Sequence, residues 1–575
     1  MKTLLYTALL TAVGAARAPG DTRPNIIVFF PDTIRAEALS TYGHALTKTP
    51  NADRLAAEGV VFEQAHVQHT QCSPSRCAIM TGRYMHVMGH RTQTHLVQEW
   101  EPNVFAYLKA SGYTTLMLGK NDMLAVDSWN KTFTYWENVI GIDGGANKFK
   151  QGEPGYYSFA SFAGKTLGNN SKQNEDLLAV RYVGAFMAND PPEPFAIWVS
   201  GIGAHPPYTA PADYYHMYTA EQVMAAAPLR PVLPNANKPA FIGPSGIPGY
   251  RSCPALVMQT TPLRANNDPP PHFPSHSNSP PNTPGDLNGF NDTFFYELAA
   301  VYLGRVSYTD YVLGALLDGI AASPLVGNTA LIFSSDHGDF SGDYHNVEKY
   351  PCSLDDMLTR VPLIGRVPGG AKGARVAAPV EALDIFATLL DLAGLLPNAT
   401  SALTSRTIER HFSQSLLPAL MGSASAPPPK KYVYSEGGYT PGSLEVEPLD
   451  PEQESVYSNT ANMYYPRGME ELNASHCTRA IMQRSLTAKL VYRPAPGQSE
   501  LYDLANDPVE SLNVWGQSQY TALQNKMVLD MLDWLAQTSD ITPLAEDPRD
   551  SPAAPKPPFP WPPGAKPEKH HNLRG

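Results

Sequence analysis

One stretch of the chain reads Gln71-Cys72-Ser73-Pro74-Ser75-Arg76-Cys77-Ala78-Ile79-Met80-Thr81-Gly82-Arg83. It places a cysteine in a Pro-Ser turn, with an apolar run after it. We expect a helix to begin near Pro74 or Ser75, with its unpaired N–H groups and positive dipole end facing the Cys72 side chain. Such surroundings predict a lowered pKa for the thiol. A disulfide partner is the competing interpretation of Cys72, although five residues do not place Cys77 on the same helix face.

The order Cys-x-Pro-Ser-Arg-x-x-x-x-Thr-Gly-Arg in residues 72–83 resembles the signature of the type I sulfatases, a family of the alkaline-phosphatase superfamily. In that family the cysteine is oxidised during secretion to formylglycine (3-oxoalanine), whose hydrate is the nucleophile. The resemblance implies this conversion at Cys72 and a formylglycine-generating enzyme as a maturation partner. It also implies an α/β fold with an alkaline-phosphatase-like, large and mostly parallel sheet between helices, followed by a smaller C-terminal α+β domain.

Composition limits the size and the partners of the protein. The chain has 575 residues, 43% of them hydrophobic and 17% charged, which suffices for one large domain and a smaller one. A formal net charge of −12 disfavours nucleic acid as a partner. Five cysteines do not form a disulfide scaffold. The four besides Cys72 are compatible with two bridges of open pairing: Cys77, Cys253, Cys352 and Cys477.

The N-terminus predicts entry into the secretory pathway. Lys2 precedes a short apolar core at residues 4–13, and Ala16-Arg17-Ala18 offers a cleavage site, so we interpret residues 1–18 as a signal peptide. This core is too short to span a membrane, and no later apolar run is long enough. We predict an extracellular or lysosome-like compartment. Five glycosylation sequons fit that route: Asn130, Asn169, Asn291, Asn398 and Asn473.

Shifts in composition divide the rest of the chain. The apolar spacing of Val380–Gly394 predicts an amphipathic helix that Gly394 ends. We predict a catalytic domain at residues 24–395 with a Pro-rich insertion at about 226–292, a linker at 396–430, a small antiparallel-sheet subdomain at 431–540 and a disordered tail at 541–575.

Two continuous apolar runs each end on an aspartate. Asn25–Phe30 leads to Asp32, and Ala330–Ser335 leads to Asp336-His337. Such runs predict strands buried on both faces of a parallel sheet, whose ligands bind outside the carboxyl ends of the strands. A helix cap is the alternative role for Asp32. The resemblance implies one divalent cation, Ca²⁺, bound by the side chains of Asp32, Cys72 (as formylglycine), Asp336 and His337.

Two positions depart from the family pattern. Thr33 stands where the family usually has a second metal-binding aspartate, which leaves the cation site one carboxylate short. Asp122 stands where the family usually has a histidine, although arylsulfatase K-like sequences also carry aspartate there. We interpret Asp122 as the base that regenerates the aldehyde. It lies two residues after Lys120, which the resemblance implies is a sulfate-binding cation rather than a solvated surface lysine.

The remaining candidates follow the family order. His205 comes after the apolar run Phe195–Ser200 and would protonate the leaving oxygen, with a loop-shaping role as the alternative. Lys349 corresponds to a second sulfate-binding lysine. Together with Arg76 and Lys120 it would neutralise charge that develops on the sulfate oxygens. The catalytic set is therefore Cys72, Arg76, Lys120, Asp122, His205 and Lys349.

The resemblance implies a secreted sulfatase that hydrolyses aryl or carbohydrate sulfate esters, in a small molecule or a glycan. The nearest alternative is a phosphodiesterase or phosphonate monoester hydrolase of the same superfamily, since relatives with an Asp-His metal pair act on such substrates. A further alternative is a secreted glycoprotein that has lost the chemistry, which Thr33 and Asp122 would favour.

Overall fold

The computed structural model describes residues 20–93, 95–138, 175–206, 208, 210–231, 292–346, 348–350, 352–396, 408–423, 429–438, 478–494 and 497–539. Several predictions from the sequence lie outside these residues. They are the signal peptide, the tail at 541–575, nearly all of the Pro-rich insertion, part of the linker, and the sequons other than Asn130.

The predicted apolar runs form the centre of an eight-stranded sheet. Its strands are β1 Asn25–Phe29, β2 Val60–His66, β3 Thr114–Gly119, β4 Tyr135–Asn138, β5 Phe195–Ser200, β6 Thr329–Ser334, β7 Leu363–Arg366 and β8 Ala374–Glu381. They lie in the order β4-β3-β5-β1-β6-β7-β2-β8. Only β7 runs antiparallel to its neighbours β6 and β2. The carboxyl ends of the other strands therefore share one edge, and β1, β5 and β6 lie side by side.

Helices cover both faces of this sheet. The α-helices of the described residues are, in chain order, α1 Pro50–Glu58, α2 Cys72–Thr81, α3 Met85–Met88, α4 Val104–Ala110, α5 Trp129–Thr132, α6 Glu175–Ala188, α7 Ala212–Tyr215, α8 Ala220–Ala226, α9 Asp292–Ala321, α10 Asp356–Thr359, α11 Asp384–Leu392, α12 Leu417–Leu420 and α13 Thr521–Thr538. Helices α6 and α9 pack on one face, whereas α2, α4 and α11 pack on the other. In the part of the chain that the structure describes, no helix has the length and apolar character needed to cross a membrane.

The central strand β1 shows why its sequence is apolar without interruption. Side chains of a strand alternate between the two faces. Ile27 and Phe29 belong to the core beneath α6 and α9, and Ile26 and Val28 belong to the core beneath α2 and α4. All four are fully buried, because each face of the strand meets a helical layer. The prediction of strands buried on both faces is therefore confirmed.

A second, antiparallel sheet follows the large one. Its strands are β9 Val433–Gly437, β10 Ala480–Arg484, β11 Lys489–Tyr492 and β12 Glu500–Tyr502, in the order β12-β11-β10-β9. Helix α13 packs against it, and its Trp534 shares a core with Leu490 and Leu501. The predicted combination of a large, mostly parallel sheet between helices and a smaller α+β unit is confirmed.

Three local predictions are wrong. Residues 374–381 form strand β8, so the helix predicted over Val380–Gly394 spans only Asp384–Leu392. The apolar pattern around Val380 fits both a strand and a helix, and pairing with β2 makes it a strand. Helix α2 begins at Cys72, because Pro74 in the first turn needs no N–H partner. The four cysteines besides Cys72 do not form two bridges, since Cys352 is disulfide-bonded but Cys77 is a free, buried thiol.

Candidate active site

Four predicted ligands converge at the carboxyl edge of the large sheet. Asp32 follows β1, Asp336 and His337 follow β6, and Cys72 is the first residue of α2. The Cys72 Sγ lies 3.3 Å from Nε2 of His337 and 3.9 Å from Oδ1 of Asp32. All four side chains are buried, and one ligand atom from each lies within 4.8 Å of the others. The sequence order of the strands thus gathers residues that are up to about three hundred positions apart.

The imidazole of His337 is oriented for a ligand at Nε2. Its Nδ1 lies 2.8 Å from the carbonyl oxygen of Gly338, which can only accept a hydrogen bond, so Nδ1 carries the hydrogen. Burial lowers the pKa of this histidine, which favours the neutral ring. The Nε2 lone pair therefore faces Asp32 Oδ1 at 3.6 Å and Asp336 Oδ2 at 3.8 Å. A metal-binding histidine with a backbone acceptor on its other nitrogen has this arrangement.

Arg76 holds the two aspartates together. It lies one turn after Cys72 on α2 and is fully buried. Its Nε donates to Asp336 Oδ2 at 2.8 Å, and Nη2 donates to Asp32 Oδ2 at 3.2 Å. A further Nη1 hydrogen bond reaches the hydroxyl of Ser200, at the end of β5. The guanidinium therefore supplies positive charge directly behind these two carboxylates.

Asp32 is kept ionised by its cationic neighbours. Burial opposes the charged form, but Lys120 and more distant cations lower its pKa well below the ordinary value. The Lys120 Nζ donates to Asp32 Oδ2 at 2.6 Å and lies 3.7 Å from Cys72 Sγ. Gly119, just before this lysine, has φ +100°, and a β-carbon there would collide with the carbonyl oxygen of Ser200. The Gly-Lys pair is thus required for β3 to deliver the ammonium into the site.

The prediction for the Cys72 thiol is wrong in sign. Its pKa is raised, first by burial and then by the negative charge of Asp32. Lys120 and Lys349 act in the opposite direction without cancelling these effects. An N-terminal helix position lowers a thiol pKa only when the thiolate is also solvated or paired. The residue is a free cysteine in the structure, so the disulfide interpretation is excluded.

Asp122 lies beside Lys120. Its Oδ2 is 2.8 Å from the Lys120 Nζ, and its side chain is 23% exposed, whereas that of Lys120 is 6% exposed. The residue has a φ of +32°, an unusual value for a non-glycine residue. Asp122, which stands where the family usually has a histidine, therefore lies at the rim of the site.

His205 and Lys349 meet through a residue that the sequence analysis did not single out. Glu348 Oε1 accepts a hydrogen bond from the Lys349 Nζ at 3.1 Å and lies 4.0 Å from Nε2 of His205. All three side chains are nearly or fully buried. The His205 Nδ1 donates to the carbonyl oxygen of Pro206 at 2.6 Å. The only sequence signal for Glu348 is its position next to a candidate lysine.

Thr33 occupies a strained position next to Asp32. Its φ of +67° is an outlier for a β-branched residue. The backbone N–H donates to Asp336 Oδ1 at 3.0 Å, and its carbonyl accepts from the hydroxyl of Tyr302 at 2.9 Å. The side-chain hydroxyl donates to Asp32 Oδ1. Thr33 therefore contacts both ligand carboxylates, although it contributes no negative charge.

The donor set fits a divalent cation. Two carboxylates that follow neighbouring strands provide the oxygen ligands that hard cations prefer, and an imidazole adds one nitrogen. Arg76 donates to Asp336 Oδ2, and Lys120 donates to Asp32 Oδ2. The Oδ1 atom of Asp32 and Nε2 of His337 therefore face the Cys72 side chain from two directions.

Comparisons with known proteins show the family and the fold of the chain. The family model described as Sulfatase matches residues 24–395. A sulfatase from Formosa agariphila is 26% identical over 65% of this chain and 70% of its own length. The iduronate 2-sulfatase of Mus musculus is 23% identical over 88% of this chain and 93% of its own. The phosphonate monoester hydrolase of Agrobacterium radiobacter superposes with a TM-score of 0.65, at 21% identity, over 90% of this chain and 96% of its own. The chain belongs to the sulfatase family.

Proposed function

We propose that this protein is a secreted enzyme that hydrolyses aryl or carbohydrate sulfate esters, with formylglycine at position 72 as the nucleophile. One observation carries the proposal. The Cys72 side chain, the first residue of a buried helix, lies within 4 Å of an imidazole, a carboxylate and an ammonium group. The family's signature surrounds it in the sequence, and the family acts on sulfate esters.

Asp32, Asp336 and His337, together with an oxygen of the modified residue 72, would hold one Ca²⁺ ion. When bound, this cation would supply positive charge that favours ionisation of a hydroxyl of residue 72. Arg76 would keep both carboxylates in position, since it donates to each of them. These residues would form the floor of the site beneath the sulfate group.

One hydroxyl of the hydrated residue 72, ionised by loss of its proton to solvent, would attack the substrate sulfur. The new S–O bond forms as the bond from sulfur to the ester oxygen breaks, and His205 would give a proton to that departing oxygen. Lys120 and Lys349 would stabilise the charge on the sulfate oxygens. Asp122 would then remove the proton of the second hydroxyl, so that the C=O bond of the aldehyde forms as the carbon–oxygen bond to the sulfate group breaks and sulfate leaves.

A second candidate function rests on the structural comparison. The fold also superposes on a phosphonate monoester hydrolase, over nearly the whole of both chains. Such an enzyme would use the same site on phosphodiesters or phosphonate monoesters, whose non-bridging oxygens share one negative charge, as those of a sulfate ester do. The remaining alternative is a protein of the same fold without catalytic activity, which Thr33 and Asp122 favour.

Mass analysis of one peptide tests the proposal. The tryptic peptide Leu55–Arg76 contains Cys72, and in protein secreted by eukaryotic cells we expect most of it as the aldehyde or its hydrate. If the peptide contained only unmodified cysteine at position 72, formylglycine could not be the nucleophile. Turnover of 4-nitrophenyl sulfate against bis(4-nitrophenyl) phosphate separates the two candidate functions. Cys72→Ala should abolish either activity and retain the fold.

A further inference from the structure

Glu348 places a negative charge among the cations of the candidate active site. Its Oε1 is 3.1 Å from the Lys349 Nζ and 4.0 Å from His205 Nε2, and the glutamate side chain is 8% exposed. The Lys349 side chain is itself fully buried, so the Glu348 carboxylate acts on an ammonium group that bulk water does not screen. A carboxylate that weakens the positive charge of an anion site requires a physical reason.

The fold fixes Glu348 in this position. Its φ of +61° is unusual for a residue with a β-carbon. Its N–H faces the Tyr208 hydroxyl at 3.0 Å and Asp339 Oδ1 at 3.2 Å, and its carbonyl accepts from Phe340 N at 2.8 Å. The Tyr208 hydroxyl in turn donates to Asp339 at 2.9 Å. A buried network therefore holds a sparsely populated backbone conformation, as is frequent at functional sites.

The same pairing occurs at the other candidate sulfate-binding lysine. Asp122 lies 2.8 Å from Lys120, as Glu348 lies 3.1 Å from Lys349. Each lysine thus has a carboxylate from its own loop, one or two residues away in the sequence. The aspartates that could bind a cation are separate from these two acids. The two lysines are charge-compensated by the chain itself, before any substrate is bound.

We propose that Glu348 is a specificity-determining residue that limits the positive charge around Lys349, so that the site favours singly charged ester anions over doubly charged ones. This inference rests on the proposed function. Sulfate esters, phosphodiesters and phosphonate monoesters carry one negative charge at neutral pH. Phosphate monoesters and the product, inorganic sulfate, carry two. Glu348 would thereby exclude phosphate monoesters and promote release of the product.

The size of the effect follows from the charge of the ligand. The repulsion between Glu348 and a bound anion is proportional to the anion's charge, so the free-energy change on removing the carboxylate is twice as large for a dianion. The fold-change in affinity for a dianion is then the square of that for a monoanion of similar shape. With solvent screening, we expect about threefold for a monoanion and about tenfold for a dianion.

Glu348→Gln tests this relation in the full-length, secreted protein. Equilibrium binding of inorganic sulfate and of methanesulfonate is measured by titration calorimetry at neutral pH, which needs no turnover. We expect the variant to bind sulfate about tenfold and methanesulfonate about threefold more tightly than wild type. Glu348→Asp keeps the charge and should retain the wild-type ratio of the two affinities. Glu63→Gln, at a surface pair with Arg375, controls for the change in net charge.

Two results would overturn the inference. Equal fold-changes for the two anions would mean that Glu348 only orients Lys349, and weaker binding of sulfate would mean that it contributes to the anion site. If Glu348→Gln does not fold, Asp122→Asn provides the same comparison at the more exposed lysine partner. Wild-type protein that binds neither anion would overturn the proposed function itself.

Discussion

Asp122 Oδ2 lies 2.8 Å from the Nζ of Lys120. The same ammonium donates to Asp32 at 2.6 Å and lies 3.7 Å from the Cys72 sulfur. Lys120 therefore connects the floor of the site with a carboxylate at its rim. Asp122 is therefore a direct partner of an ammonium group that also approaches Cys72.

We predict that Asp122→Asn stalls the enzyme after its first chemical step. The amide keeps the size of the side chain but cannot accept the proton whose removal from residue 72 releases sulfate. Rapid-mixing kinetics with 4-nitrophenyl sulfate should show one fast turnover, followed by a steady rate reduced about a hundredfold. The sulfated peptide should then be detectable by mass analysis.

Other kinetic outcomes assign Asp122 a different role. Normal turnover would make it a structural partner of Lys120, with the base elsewhere. An altered KM with unchanged kcat would mean that it acts on substrate binding alone. Glu99→Gln serves as the control, because this residue also lies in a loop of the same domain and its side chain contributes to none of the contacts described for the site.

We predict that Thr33→Asp increases calcium affinity. Thr33 already contacts both ligand carboxylates, through its N–H to Asp336 and its hydroxyl to Asp32. A carboxylate there adds charge to the cation site, and charge count tunes calcium binding. We expect a gain of about tenfold, measured by calorimetric titration with Ca²⁺.

The matched control for this variant is Thr33→Asn. Asparagine also tolerates the observed φ of +67° better than threonine does, so it reports relief of backbone strain without a new charge. Unchanged or weaker calcium binding in Thr33→Asp would show that the side chain at this position does not face the cation. A gain of the same size in both variants would attribute the effect to the backbone.

The sequence predicted the strands that position the site residues more accurately than it predicted the charge interactions among those residues. Uninterrupted apolar runs identified β1, β5 and β6, because only a strand covered on both faces needs such a run. The proximity of the acids that follow β1 and β6 then follows from the shared carboxyl edge of the sheet. Apolar pattern alone could not separate strand from helix at Val380, because pairing with a distant strand decides between them.

The sign of the Cys72 pKa shift and the role of Glu348 could not be derived from sequence. Both depend on which charges are brought together from distant loops and on how completely water is removed. A helix start near Pro74 or Ser75 predicted a lowered thiol pKa for Cys72, but burial and the carboxylate of Asp32 raise it. Glu348 is adjacent to a candidate residue, yet its contact with His205 exists only in the folded chain.

We predict that Arg76→Met destabilises the protein strongly. Arg76 is fully buried, and its removal leaves Asp32 and Asp336 close together without one of their principal cations. Breaking a buried ion pair costs about 3–5 kcal/mol. Thermal unfolding should show this loss without added metal and a smaller loss in excess Ca²⁺, because a bound cation replaces part of the missing charge.

Arg54→Met is the control for Arg76→Met. Arg54 forms a solvent-exposed ion pair with Asp318, and such pairs contribute about 0–1 kcal/mol. The melting temperature of the Arg54→Met variant should therefore stay near that of wild type and should respond to Ca²⁺ as that of wild type does. A loss in Arg76→Met that calcium does not reduce would indicate that Arg76 stabilises the helix packing rather than the two carboxylates.

Glu436 connects the second sheet to the catalytic part of the chain and makes stability depend on pH. It lies on β9, is fully buried, and accepts hydrogen bonds from His86 Nδ1 at 2.6 Å and Arg479 at 2.7 Å. Arg91 lies 3.6 Å away. Burial opposes its ionised form, but these partners lower its pKa to about 2.

We predict that Glu436→Gln loses stability at neutral pH and that the loss disappears in acid. A carboxyl group whose pKa is lower in the folded than in the unfolded chain stabilises the fold above its unfolded pKa, and that contribution is lost as pH falls toward the folded value. Because the pKa of Glu436 falls from the ordinary 4.5 of a glutamate to about 2, the contribution is about 3 kcal/mol at pH 7. Urea unfolding of both proteins should therefore show a constant difference above the pKa of the unfolded chain and a shrinking one below it. Glu63→Gln, at an exposed pair, should show no such dependence. A difference that stays constant through the acid range would mean that Glu436 acts by shape and packing, because only an ionisable carboxylate can make it vanish.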